Sequence, residues 1–203
     1  MENTVAFRKF EERDIDFIYK CKNDLRVNLL TVGHDHGFTR EQAETWVKNC
    51  IKGDRPDLKF WAICSNDDEK KIVGWIGLSA IDKENNSACL NGLVIGDPDY
   101  KDGMAQIESY LFVFDYAFEK LKINRLYGSH LDAHKMTTVM AKATFFVDEG
   151  VLRESVYKNN KYYNEVCVSL LAQEYYEHKN KGEYTVKSVL KRVVKELKHN
   201  NNE

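Results

Sequence analysis

Residues 88–103 hold the groups best placed for chemistry. An apolar strand over 88–95 runs into a polar turn, 96–103, that contains Gly96 and Gly103, and a helix begins directly after it. The first N–H groups of a helix lack intrahelical partners, so such a junction can donate several backbone hydrogen bonds to phosphate oxygens. The same order of elements also serves as a plain connection that packs a helix on a sheet. His130 and His134 flank the end of a strand expected at 124–130, where open α/β sheets place ligands. Either could relay a proton, and either could simply cap or lie on the surface. His34, Asp35 and His36 offer a metal-ligand pair, but no third ligand follows at a recognisable spacing, so the expectation is a solvated loop and no metal. Tyr157, Tyr162 and Tyr163 read as packing residues rather than general acids, and Trp46, Trp61 and Trp75 as core.

The elements that must position these groups follow from periodicity. After 96–103, Ile107, Leu111, Phe114, Phe118 and Leu121 recur at helical spacing and predict one long amphipathic helix with a continuous apolar stripe. Upstream, alternation over 4–10 predicts a strand with Val5, Phe7 and Phe10 inward. Asp14, Phe17, Ile18 and Cys21 then predict a helix that the polar stretch 23–26 ends. Thr39 and Gln42 have the spacing of a capping box, opening a helix to about residue 52 that buries Ala43, Trp46, Val47 and Cys50 or Ile51. Residues 59–64, 72–81 and 88–95, joined by polar turns, predict a three-strand antiparallel meander. Gly74 and Gly77 would weaken its middle strand unless another backbone or a ligand comes close.

The helix-linked strands 88–95 and 124–130 are expected to be parallel. A helix at about 133–145 carries Met136, Val139, Met140 and Ala143 at helical spacing, and the strands 150–157 and 162–170 close a hairpin through a turn at 158–161. From residue 173 the chain becomes highly charged. Val186, Val189, Leu190, Val193, Val194 and Leu197 form a stripe beside five basic residues, which reads as an appended amphipathic helix docked on its own domain. The expected organisation is a domain over 1–172 and a helical extension over 173–203.

Bulk properties narrow the function classes. With 43% apolar residues in 203, the chain can bury a sizeable core, and 30 basic against 32 acidic residues give no field that would recruit nucleic acid or an anionic membrane. Five cysteines, scattered and without a CxxC pair, fit reduced thiols better than disulfides or zinc. The first residues lack the pattern of a secretory signal, and no apolar run approaches about 18 residues. The expectation is a cytoplasmic protein with no nucleic-acid or membrane partner, leaving a homodimer open.

The order strand, two helices, three-strand meander, helix, strand, helix and hairpin resembles the GNAT superfamily of acetyl-CoA-dependent N-acetyltransferases. Residues 150–157, 162–165 and 169–171 are similar to the closing hairpin of the branch that acetylates ribosomal-protein termini, polyamines and nucleotide-linked amino sugars. Residues 94–100 resemble the entrance to that branch's CoA loop, and residues 115–118 and 123–127 the helix and strand after it. The resemblance spans about residues 4–172. It implies an α/β GNAT fold, a mixed central sheet flanked by helices, here with a C-terminal helical extension.

The function it implies is attack of an uncharged amine on the thioester of acetyl-CoA through a tetrahedral oxyanion. Backbone groups of Leu93, Val94 and Ile95 would hold the oxyanion and pantetheine, and Lys101, Asp102, Gly103, Met104, Ala105 and Gln106 would form the diphosphate loop. Arg26, Asn28 and His34 would face the acceptor. Two registers of the loop stay open. The ungapped one puts Met104 and Gln106 where small residues are expected. The one-residue deletion recovers the small pair Gly103 and Ala105 but sets Asp102 beside the diphosphate. The family's base, its asparagine after the second parallel strand, its thiolate-protonating tyrosine and its glycine before phenylalanine fall on Leu90, His134, Ala141 and Phe145. The implied activity is therefore acetyl transfer to an amine, or else a lapsed GNAT-like binding protein with a decayed CoA site.

Overall fold

A computed structural model of the chain describes residues 3–33, 37–67 and 69–200. Seven strands form one mixed sheet in the order β1-β2-β3-β4-β5-β7-β6: β1 Val5–Arg8, β2 Lys59–Ser65, β3 Ile72–Asp82, β4 Ser87–Ile95, β5 Arg125–Leu131, β6 Val147–Lys158 and β7 Lys161–Leu171. All neighbours are antiparallel except β4 and β5, which run parallel, as the helical connection between them requires. This is the α/β GNAT fold that the element order implied.

Alternation along the strands feeds two cores. Trp61, Ile63, Val73, Ile76 and Leu126 point to a face covered by α4 (Met104–Phe114), α5 (Lys135–Ala143), α6 (Ala172–Asn180) and α7 (Val186–Asn200). Ala62, Cys64, Ile72 and Trp75 point to the other, covered by α1 (Ile15–Lys22) and α3 (Arg40–Lys52). Tyr175, Val189 and Val193 lie in the same core as the sheet, so the charged tail does dock on its own chain. The capping box forms as expected, with Thr39 and Gln42 exchanging both bonds.

Several expectations are corrected. The polar stretch after α1 ends that helix at Lys22 as expected, but Asp24 then caps a further short helix, α2 (Leu25–Asn28), that was not expected. The long amphipathic helix is α-helical only to Phe114 and continues as a π-turn over Asp115–Lys120. Leu111 is half-buried while Tyr110 and Val113 are fully buried, because α4 is wedged between the sheet and α7 rather than lying on a surface. Ile51 and Met136 are exposed, since their helices turn those positions outward. Tyr157 and Tyr162 pack on each other, with ring centroids 4.8 Å apart, and stay exposed because they stand on the outer hairpin. Trp46 is partly open, unlike Trp61 and Trp75.

Gly74 has the close backbone neighbour expected of it, whereas Gly77 makes room for a side chain. A Cβ at Gly74 would lie 2.2 Å from the Val94 carbonyl, and one at Gly77 equally close to the Phe60 ring. The hairpin turn uses Asn159 and Asn160 with φ of 49° and 58°, the left-handed pair that a two-residue turn between twisted strands demands.

Glu108 ties the far edge of the sheet to α4. Its buried carboxylate accepts the N–H groups of Thr4 at 2.9 and 3.0 Å and of Val5 at 3.0 Å, where β1 begins. Glu108→Ala leaves these donors unanswered and is expected to cost about 1–3 kcal/mol. Chemical denaturation measures the loss, and Glu108→Gln, which keeps one acceptor oxygen, should recover part of it.

Candidate active site

The site is made by strands that part. β4 and β5 pair only at Ser87–Arg125, Ala88–Leu126 and Cys89–Tyr127. At the next step the strands are still close, since a Cβ on Gly128 would lie 3.3 Å from the Leu90 carbonyl. Beyond it β5 follows β7 as far as Leu131, while β4 stays with β3, so the β5-facing edge of residues 91–95 has no strand partner. The β3–β4 register also shifts between Trp75 and Gly77. Gly92 takes φ +70° in this β-bulge, which bends the strand and turns backbone groups out of the ladder. An unpaired strand edge beside a bulge supplies backbone donors for an oxyanion or an amide-bearing ligand. Leu93, Val94 and Ile95 all lie in this parted segment, half-buried.

The loop that follows is built to start a helix. Gly103 caps α4 with φ +93°, a conformation that favours glycine, and Ala105 is fully buried against the core. Met104 and Gln106 are half-buried, and Lys101 and Asp102 exposed. The Asp102 carboxylate accepts the Met104 N–H at 2.9 Å. One of the helix's free donors is therefore already occupied by an anion from the chain itself.

The two histidines have structural partners. His134 caps α5, its Nδ1 accepting the Thr137 N–H at 3.3 Å. Burial, and then the neighbouring His130, lower its pKa. His130 is buried on the α5 side of the sheet, with Nε2 3.0 Å from Thr138 Oγ1 and Nδ1 unpaired among the described residues. Burial lowers its pKa too, against an upward pull from Asp148 and Asp132. Both are held toward neutral imidazole, and neither lies on the parted edge of β4. Leu90 and Ala141 offer no titratable group.

Phe145 stands clear of the cleft. It has φ +67° and stacks on His178 at 3.5 Å between centroids, with the Arg192 guanidinium 4.3 Å from its other side. Left-handed backbone is strained for an aromatic residue, and this is the position where the resemblance expects glycine. A pocket of about 450 Å³ beside it, reaching Glu174 and Glu196, belongs to the C-terminal helices and not to the cleft.

On the acceptor side, Arg26 is exposed and paired with Asp24 at 2.7 Å, and His34 lies outside the described residues, as do Asp35 and His36. Asn28 turns inward and donates from Nδ2 to the Lys22 carbonyl at 2.6 Å, while its own carbonyl accepts the Lys158 ammonium at 2.7 Å. Among the described residues no cluster of three or more His, Cys, Asp or Glu could hold a metal ion.

A family profile described as the acetyltransferase (GNAT) domain matches residues 4–145. The chain belongs to the GNAT acetyltransferase family. GNAT structures agree with the fold at low sequence identity. A spermidine N-acetyltransferase from Vibrio cholerae, solved with CoA and spermine, superposes with a TM-score of 0.75 at 18% identity, over 85% of this chain and 98% of its own. A GCN5-related N-acetyltransferase from Brucella melitensis gives 0.71 at 17% identity, over 91% of this chain and 84% of its own. No curated protein matches the chain at a significant level.

Within this GNAT frame, sequence reasoning missed three contributors. Gly92 had a signal, since an isolated glycine in a strand pattern marks a bulge. Lys22 had one too, lying four residues after the buried Ile18 on the face of α1 that turns inward. Lys158 had none, because a lysine flanking a turn reads as solvated.

Proposed function

We propose that the protein is an N-acetyltransferase that takes its acetyl group from acetyl-CoA and delivers it to the uncharged primary amine of a small molecule, an amino-sugar nucleotide or a protein terminus. The observation that carries this reading is the parting of β4 from β5 after Cys89, which leaves the β5-facing edge of residues 91–95, bulged at Gly92, without a strand partner. There the backbone at Leu93, Val94 and Ile95 would orient the thioester and stabilise the oxyanion. The N–H groups at the start of α4 would meet the diphosphate, with Lys101 adding positive charge. The left-handed backbone of Gly103 and the buried Ala105 support the register in which these two residues are the loop's small pair. Without a base at Leu90 or an acid at Ala141, catalysis rests on positioning and oxyanion stabilisation. An acid–base contribution of about 10²–10⁴-fold is then forgone.

A second reading, a GNAT-like binding protein with a lapsed CoA site, is favoured by one observation, the Asp102 carboxylate on the Met104 N–H. Calorimetric titration with acetyl-CoA and desulfo-CoA separates the two. The acetyltransferase reading expects micromolar binding, and an absence of heat at millimolar ligand would overturn it.

A further inference from the structure

Lys22 closes α1 where that helix meets α3, β3 and the segment around Phe38. Its ammonium stands 5.7 Å from the Phe38 ring, 5.6 Å from Trp46 and 5.4 Å from Trp75, half-buried in an aromatic cage. It has no carboxylate and no hydrogen-bond acceptor among the described residues. The ionisable groups facing it are the thiols of Cys50 and Cys21, which burial pushes up to about 12 and about 11 and so keeps uncharged. The described carboxylates nearest in the chain are engaged elsewhere, Asp24 by Arg26 and Asp16 by Arg40. Burial accordingly lowers the lysine's own pKa. Aromatic rings attract a cation but do not neutralise it, so the site holds uncompensated positive charge that an anion would complete.

The cage is also next to the parted strand. Trp75 faces Val94 across the β3–β4 ladder, and its Nε1 lies 3.5 Å from where a Cβ on Gly92 would be, with no acceptor among the described residues. Gly96, just beyond β4, abuts Cys21 and Phe17 of α1. One indole therefore separates the lysine ammonium from the bulge.

We propose that the acceptor side of this protein selects an amine that also carries an anionic group, a phosphate or a carboxylate, bound by Lys22 in the cage of Phe38, Trp46 and Trp75. This rests on the acetyltransferase reading for the fate of the amine, but the binding itself does not require acetyl-CoA. A polyamine brings only positive charge to this cage and is disfavoured by the same geometry.

The test is the tryptophan fluorescence of the full chain without acetyl-CoA, in which Trp46 and Trp75 line the cage and Trp61 lies on the other face of the sheet, titrated separately with O-phosphoethanolamine, β-alanine, ethanolamine and spermidine. Saturable change with O-phosphoethanolamine or β-alanine, and none with ethanolamine or spermidine at equal concentration and ionic strength, is expected. Whichever of the first two binds tighter identifies the anion. Lys22→Met should weaken that binding by about tenfold or more, and Lys22→Arg should retain most of it, with near-ultraviolet circular dichroism checking the fold of each. Spermidine binding as tightly as the anionic amines, undiminished binding in Lys22→Met, or no response to either anionic amine would overturn the proposal. Since no donor is present, a failed CoA site leaves these outcomes unchanged.

Discussion

Replacing Lys158 with methionine is expected to lower Tm by roughly 5–10 °C and to open the 24–33 segment to hydrogen exchange. Lys158 ends β6 with its side chain almost fully buried, 1% exposed, and its ammonium donates to the carbonyls of Asn28 at 2.7 Å and Thr31 at 2.6 Å and to Thr31 Oγ1 at 3.3 Å. These bonds span 127 to 130 residues of chain and join the closing hairpin to the end of α2 and the turn after it. Charge-assisted hydrogen bonds are worth roughly twice neutral ones, and their loss leaves carbonyls to find water. A cost of about 2–3 kcal/mol follows, and at this chain length each kcal/mol moves Tm by roughly 2–4 °C. Since Asn28 also holds the Lys22 carbonyl, the loosening should reach the end of α1. Lys158→Arg should not restore stability, because a planar guanidinium cannot occupy a cavity shaped for an ammonium. Unchanged Tm and unchanged exchange at 24–33 would show that the hairpin does not clamp this loop.

Removing the Asp102 carboxylate is expected to tighten CoA binding by about tenfold, the equivalent of about 1.4 kcal/mol. The carboxylate opposes a diphosphate in two separable ways: it places negative charge at the start of α4, and it occupies the Met104 N–H. Asp102→Asn removes the charge but can keep an acceptor on that N–H, whereas Asp102→Ala removes both. The order of affinity should be Ala, then Asn, then the native residue, with the gain of Asn shrinking at high salt because charge effects at an exposed site are screened. Met104→Gly should help less, because it puts glycine at the first position of a helix at a cost of about 1 kcal/mol. Calorimetry with desulfo-CoA measures the series. If Asp102→Ala binds no tighter than the native chain, the loop does not meet the diphosphate.

The fold was legible in the sequence because its cues are local. Thr39 and Gln42 specify their helix start within four residues. The alternation in 59–65 and 72–82 specifies strands that bury one side on each core, and the pair Asn159 and Asn160 specifies its turn by backbone preference alone. The candidate site was legible only where a single backbone position mattered. Gly103 announces a helix start, whereas nothing in the residues around Phe145 says that the aromatic ring leaves the cleft to stack on His178, because that partner is 33 positions away on a helix whose docking angle the pattern does not encode. His134 offered both a proton relay and a cap, and its Nδ1 does accept the Thr137 N–H as a cap.

By itself the sequence determined the seven strands, the order of the main elements and the parallel pair, since these follow from side-chain period and backbone preference, but not the short α2, the π-turn after Phe114 or the outward turn of Ile51 and Met136. Only the tertiary structure decided where β4 and β5 part, which lysine is buried and which is caged. The clamp at Lys158 and the cage at Lys22 depend on which groups meet across about 16 to 130 residues of chain, and on whether a charge brought there finds a partner, water or an aromatic ring.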